Sequence, residues 1–164
     1  MPNSIRNLLL PFLTLNLLAL LGPSFISAGT WTEWTKRDSN PVYSHSGTAA
    51  SDPAVIKDGS LYRMVVSGNG GGSPDGNSLI MATSPDGYTW STLSNGNDGI
   101  VVPSAIAAWD ESLETPELIK QGSEYLLFYT GYDPAVRDAS GGRVWGDLGL
   151  ATSTDGVSFT RHGA

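Results

Sequence analysis

A stretch of this chain occurs twice. Ser51–Gly68 reads SDPAVIKDGSLYRMVVSG, and Glu114–Gly131 reads ETPELIKQGSEYLLFYTG. At a constant offset of 63 residues, both carry a proline, an apolar run, Ile-Lys, a Gly-Ser turn, a tyrosine and a second apolar run ending in glycine. A second pair follows at an offset of 69: Met81–Trp90 is MATSPDGYTW and Leu150–Phe159 is LATSTDGVSF. An internal repeat fixes the architecture before any single residue does, because each copy must fold as one supersecondary unit. Asp-Gly between apolar runs is a hairpin signal, since both residues tolerate positive φ. Each copy therefore reads as two strands around a Gly turn, a variable loop, a third strand, and an Asp-Gly turn into a fourth, aromatic-ended strand.

Four antiparallel strands per unit of roughly 60–70 residues, with a periodic Gly/aromatic motif, describe a blade of a β-propeller. A single blade cannot cover both of its faces; neighbouring blades must do so. The expected fold class is all-β, a propeller of four-stranded antiparallel blades with about two blades in this chain, the units running roughly 51–90 and 114–159. Propellers close with four to eight blades, so the sequence is expected to belong to something longer. A small β-sandwich is the alternative.

Composition supports the breaker-rich reading. Glycine (20) and proline (10) are abundant in 164 residues, yet the hydrophobic fraction of 40% is too high for a disordered chain. A net charge of −7 leaves no basic stripe for nucleic acid. The absence of cysteine removes disulfides, thiol catalysis and cysteine-bound metals, and two histidines make a conventional zinc site improbable. Residues 1–28 hold one charge, Arg6, then the apolar run Leu8–Leu21, the breaker Gly22-Pro23 and the small-residue tail Ile26-Ser27-Ala28. That is the pattern of a secretory signal peptide, short and Pro-flanked for a membrane span, with an uncleaved anchor as the alternative. The expected location is secreted or periplasmic, with residues 29–164 as the mature part and no membrane association after cleavage.

Asp52-Pro53, Glu114-Thr115-Pro116 and the twice-used A-T-S-x-D-G-x-x-aromatic turn resemble the five-bladed propeller superfamily of arabinanases, β-xylosidases, levansucrases and invertases. The likeness is strongest to glycoside hydrolase family 43 and its relatives. It covers most of residues 31–164 and corresponds to the N-terminal two of five blades. Sialidase-type propellers carry a related Asp-box, but in Ser84-Pro85-Asp86-Gly87 the glycine follows the aspartate directly, one residue earlier than in that box. In both groups the turn aspartate is structural, so Asp86 and Asp155 are expected to accept backbone N–H bonds within their own turns.

Cleaving a glycosidic bond needs two carboxyl groups flanking it, one protonated and one ionised. Residues just before the innermost strands converge on a propeller's channel, which points to Asp52 before Ala54-Val55-Ile56 and Glu114 before Leu118-Ile119, taken as equivalent positions on two blades. The resemblance implies Asp52 as general base and Glu114 as general acid. The superfamily also uses a third carboxylate that tunes the acid, and Glu117 follows Pro116 as that residue often follows a proline. Family members usually place acid and tuning residue on different blades. Two assignments thus stand open: Glu114 as acid with the third carboxylate displaced, or Glu117 as the tuning residue with the acid beyond Ala164. Asp52 also suits a turn-forming Asx before proline, and Glu114 a solvated strand-edge charge.

Trp109 is a candidate sugar-stacking platform, with core packing as the alternative, and Asp110 and Glu111 beside it read as rim residues. His45 is a candidate pocket residue, although Ser44-His45-Ser46-Gly47 also reads as plain loop. Trp31 and Trp34 look like blade-packing aromatics, and Gly68-Asn69-Gly70-Gly71-Gly72 is a hairpin tip without the Lys-Ser/Thr of a phosphate loop. No cofactor is expected. Some members of the superfamily hold axial calcium, but nothing here reads as a calcium loop. The expected partner is a carbohydrate substrate, with a full-length monomer.

Overall fold

Alternating apolar side chains and glycine turns set the local structure of each repeat. The computed structural model describes residues 35–45, 49–69, 76–105, 108–141, 144 and 146–162. The leader at 1–28, Trp31, Trp34 and the tip residues Gly70–Gly72 lie outside the described residues. Among the described residues the regular elements are nine strands: β1 (Ala50–Asp58), β2 (Leu61–Asn69), β3 (Asn77–Ser84), β4 (Ser91–Thr92), β5 (Ile100–Val102), β6 (Ser112–Gln121), β7 (Glu124–Tyr132), β8 (Asp147–Ser153) and β9 (Thr160–Arg161). The first sheet runs β1-β2-β3-β4, with β5 also paired to β3, and the second runs β6-β7-β8-β9. All pairs are antiparallel. The fold is all-β, with four-stranded meanders arranged as successive propeller blades.

The repeat is preserved at the level of register. Ala54 faces Val65 and, 63 residues on, Glu117 faces Phe128. Val65 faces Met81, and Phe128 faces Leu150. Both first hairpins close through a two-residue Gly-Ser turn, Gly59 and Gly122 each at φ +62°, where a side chain would be strained. The second turns are copies of one another. The Ser84 hydroxyl accepts the Gly87 N–H at 2.8 Å, and Asp86 Oδ1 accepts the N–H groups of Tyr88 (2.8 Å) and Thr89 (2.7 Å). Ser153 and Asp155 do the same for Gly156, Val157 and Ser158. Asp86 and Asp155 thus accept backbone N–H groups within their own turns, and these bonds lower each carboxyl to about 2.

Each sheet has apolar residues on both faces, and the two sheets bury one face against each other. Ala54, Val65, Leu79, Met81, Val101 and Val102 of the first sheet share one core with Leu113, Leu118, Tyr125, Leu127, Tyr129 and Ala151 of the second. Strand β6 lies across β1, β2 and β3 and carries most of this packing. The far face of the first sheet (Met64, Val66, Ile80, Ala82) is covered by Ile100 and, in part, by Tyr43 and Trp90.

A polar knot closes the junction near the Gly-Ser turns. Asp58 accepts hydrogen bonds from Arg63 Nε (2.9 Å), from Tyr125 OH (2.5 Å) and from the Lys120 ammonium. Arg63 also reaches the Gly156 carbonyl at 3.2 Å. Asp58 and Arg63 belong to the first sheet, and the other three to the second. The Lys120 and Tyr125 donors hold the Asp58 carboxyl well below the usual carboxylate range, and the same bond raises the Lys120 ammonium.

Two outcomes follow. Leu127 is fully buried between the sheets, so Leu127→Ala lowers unfolding stability in urea by about 2–5 kcal/mol; a loss below about 1 kcal/mol contradicts the shared core. The three depressed carboxyls, Asp58, Asp86 and Asp155, contribute stability above their unfolded value of 3.8. Their contribution is therefore fully present above about pH 5 and is lost as pH drops from about 4 toward 2. Asp58→Asn makes that acid slope shallower, and an unchanged slope in the variant refutes the role of the knot.

Candidate active site

The first strand of each sheet contains the same irregularity. In β1 the register slips between Ser51 and Ala54, and in β6 between Glu114 and Glu117. The left-handed residue at each bulge is Asp52 (φ +53°) and Thr115 (φ +48°), and each precedes a proline. Left-handed backbone is uncommon outside glycine and an outlier for a β-branched threonine. It is also disfavoured before proline. Strain of this kind costs about 1–3 kcal/mol and persists only where packing imposes it, commonly at functional sites.

This register corrects the pairing drawn from sequence. Asp52 and Glu114 do not occupy equivalent positions: the repeat aligns on Pro53 and Pro116, so Asp52 matches Thr115 and Glu114 matches Ser51. Nor do the two carboxylates precede their strands; β1 and β6 begin earlier and run through the bulges. Asp52 is exposed, with Ser51 Oγ at 3.2 Å from its Oδ2. In the second sheet the Thr115 and Thr130 hydroxyls pair at 2.8 Å. The counterpart of Thr130 is Ser67, whose buried hydroxyl has no hydrogen-bond partner among the described residues.

Glu114 is half-buried and held from both sheets. Its Oε1 accepts Tyr132 OH at 2.7 Å, from the end of β7, and Asn77 Nδ2 at 3.1 Å, from the start of β3. The Asn77 N–H also donates to Ser112 Oγ at 3.0 Å. The docking of one sheet on the other therefore sets where this carboxylate points. Glu117, two residues beyond the bulge residue, is exposed across from Phe128.

Tyr132 also lines an open cleft of about 270 Å³ with Trp109, Gly131, Asp133, Val136, Val144, Gly146 and Asp147. Trp109 is half-buried and stacks on Tyr129, with ring centroids 6.4 Å apart and planes 15° from parallel. It serves core and cleft at once, which joins the two readings its sequence context allowed. Bare backbone forms the floor: a Cβ on Gly146 would collide with the Gly131 carbonyl, and one on Gly131 would meet Trp109 Cζ3 at 2.8 Å.

Asp110 is not a rim residue. It is buried, accepting Tyr129 OH at 2.8 Å and Arg161 Nη1 at 3.0 Å, and so anchors the loop that carries Trp109. Burial and this carboxylate push the Tyr129 hydroxyl upward from its usual range. His45 is 2% exposed. Its Nε2 stands 3.3 Å from Asp98 Oδ2, and its Nδ1 3.4 Å from Tyr43 OH. It does not line the Trp109 cleft. The structure thus places Trp109 and Tyr132 on one cleft and ties Glu114 to Tyr132; Glu114 itself, Asp52, His45 and Glu117 are not among the residues that line it. Asn77, Tyr132 and Asp110 carried no sequence signal: Asn77 comes from the other repeat, and Tyr132 sits one position past the repeated segment. Among the described residues, no group of three or more His, Asp or Glu side chains is placed to hold a metal ion.

No protein-family model matches the chain, and no curated protein does. Several solved structures do. A family 117 glycoside hydrolase of the marine bacterium Zobellia galactanivorans aligns with a TM-score of 0.57 at 15% identity, covering 74% of this chain and 41% of that one. A β-fructofuranosidase of family 32 from Bombyx mori aligns at 0.55 and 17%, covering 77% and 26%. A glycosyl hydrolase from Bacteroides ovatus aligns at 0.53 and 19%, covering 71% and 31%. The chain thus has the fold of part of the propeller-type glycoside hydrolases, and spans about a quarter to two fifths of these structures' length.

The cleft floor supplies a direct check on this geometry. Gly131→Ala destabilises the protein by roughly 1–3 kcal/mol and disturbs the Trp109–Tyr129 stack, read as a loss of near-ultraviolet circular dichroism. An alanine variant with parental stability and spectrum contradicts the close approach of Trp109 and Asp110 to this backbone.

Proposed function

We propose that the chain is part of a secreted glycoside hydrolase of the furanosidase-like propeller group, acting on arabinosyl-, xylosyl- or fructosyl-containing poly- or oligosaccharides. The observation that carries this reading is Glu114, a carboxylate fixed by Tyr132 and Asn77 one side chain away from a cleft with a tryptophan face. An aromatic ring offers the apolar face of a sugar a flat surface, while carboxylates fix its hydroxyls. Asp133 and Asp147 line the same cleft. The shared fold with enzymes named as glycoside hydrolases supports the reaction class.

In the proposed reaction the protonated Glu114 carboxyl gives its proton to the glycosidic oxygen as the bond to the anomeric carbon breaks. Asp52 takes a proton from the water that attacks that carbon. One water is consumed, and the two sugars separate as alcohol and hemiacetal. Asp52 suits the base because its bulge leaves it exposed to water. Tyr132 OH and Asn77 Nδ2 on one oxygen fix the orientation of Glu114 for that role.

The test uses the full-length protein that contains this chain, with arabino-, xylo- and fructo-oligosaccharides, measuring reducing-sugar release and, separately, binding by tryptophan fluorescence. Asp52→Asn and Glu114→Gln are each expected to lower release by about 10²–10⁴-fold with binding retained. Binding without release by the parent would mark a non-catalytic carbohydrate-binding propeller. Neither binding nor release sinks both readings.

A further inference from the structure

One hydroxyl in the junction of the sheets is buried without a partner. Ser67, near the end of β2, is 1% exposed, and its Oγ has no hydrogen-bond partner among the described residues. Leaving a buried hydroxyl unpaired costs free energy that alanine in the same place would not. Such a group calls for a reason beyond packing. Ser67 stands on the face of the first sheet that meets the second, since its partner on β3 is Leu79, a residue of the shared core. Asn77, which donates to Glu114, lies two residues along β3 on that same face.

The second copy of the repeat shows what a hydroxyl in this place does. Thr130 is the counterpart of Ser67, and its Oγ1 meets Thr115 Oγ1 at 2.8 Å. Thr115 is the left-handed residue of its bulge, at φ +48°. In the first sheet the left-handed residue is Asp52, at φ +53°, and the register slips at the matching place. Like backbone sends the two side chains the same way, so Asp52 is aimed toward Ser67 as Thr115 is toward Thr130. A hydroxyl pair in one sheet becomes a hydroxyl and a carboxylate in the other. Asp52 Oδ2 stands 3.2 Å from Ser51 Oγ, a long contact for a hydroxyl on a carboxylate. Ser51 is itself the direct cross-strand partner of Ser67. The two hydroxyls therefore bracket the Asp52 carboxylate, one engaged weakly and the other not at all.

We propose that Ser67 is a positioning residue for Asp52: its hydroxyl donates to the Asp52 carboxylate, across from Ser51, and fixes which oxygen faces the attacking water. This role rests on the reading of Asp52 as general base and adds the group that aims it. Ser67 makes and breaks no covalent bond, and the proton taken from water stays with Asp52. The hydroxyl is kept in place of alanine because its bond is made where the chemistry needs it, at a cost to the resting fold.

The test uses the full-length protein that contains this chain, as parent, Ser67→Ala, Ser67→Thr, Asp52→Asn and the Ser67→Ala/Asp52→Asn double variant. Its first arm needs no turnover. A crystal structure of the parent is expected to place Ser67 Oγ within about 3 Å of an Asp52 carboxylate oxygen. A Ser67 hydroxyl left unpaired, or bonded to Asn77, Glu114 or main chain instead, overturns the proposal whether or not the protein cleaves sugars. The second arm measures kcat, KM and melting temperature with the oligosaccharide that the parent cleaves. Ser67→Ala is expected to melt no lower than the parent and to lose roughly 10- to 100-fold in kcat with KM unchanged. It should cost nothing further in the Asp52→Asn background, and Ser67→Thr, which restores the hydroxyl as the copy carries it at Thr130, should recover most of kcat. Parental kcat in Ser67→Ala, or a loss that adds in full to that of Asp52→Asn, overturns the proposal. Parental turnover in Asp52→Asn sinks the general-base reading and this role with it, even where the crystal shows the bond.

Discussion

The structure depends on stacking one two-faced sheet on another. A four-stranded meander with apolar residues on both faces gains little by folding alone, because at least one face stays in water. Here Leu118, Leu127 and Tyr129 of the second sheet meet Val65, Leu79 and Met81 of the first. β6 is the strand on which this junction turns, since it packs on three strands of its neighbour. Leu113 and Leu118 pack in the shared core while Ile119 remains exposed on the opposite face, so one strand serves both sides of the blade.

Polar ties at the two ends of β6 fix how the sheets meet. Near its C-terminal end Lys120 joins Asp58 of the first sheet, and near its N-terminal end Glu114 takes Asn77 of the first sheet. Buried polar groups need partners, and a misaligned junction would strand them. The second tie involves a residue of the proposed reaction. The orientation of this proposed acid and the docking of the sheets are thus coupled, since one of its hydrogen bonds comes from the sheet that supplies Asn77. The loop carrying Trp109 is fixed similarly, through Asp110, Tyr129 and Arg161.

Much of the fold was legible in the sequence, because a repeat reports on backbone geometry twice. The Gly-Ser turns, the SxDG turns and the four-strand units all follow from local chemistry that the chain states in duplicate. The bulges were not legible. Asp-Pro and Thr-Pro look like ordinary strand approaches, and nothing local reveals that Asp52 and Thr115 adopt left-handed backbone; that conformation is imposed by pairing with β2 and β7. The one-residue difference between Asp52 and Glu114 was visible in the alignment but became meaningful only with the register. Asp110 looked exposed because it sits in a polar loop, and its burial depends on Arg161, 51 residues away. Trp109 could be read as core or platform, and its position at the edge of the stack makes it both.

The central claim is that the two sheets form one cooperative unit through their shared core. Native-state hydrogen exchange measures this most directly, comparing amides of β2 and β3 with those of β6 and β7 across a denaturant series. The account predicts that the slowest amides of both sheets open with the same free energy and the same denaturant dependence. Protection of one sheet that survives while the other exchanges freely would contradict it.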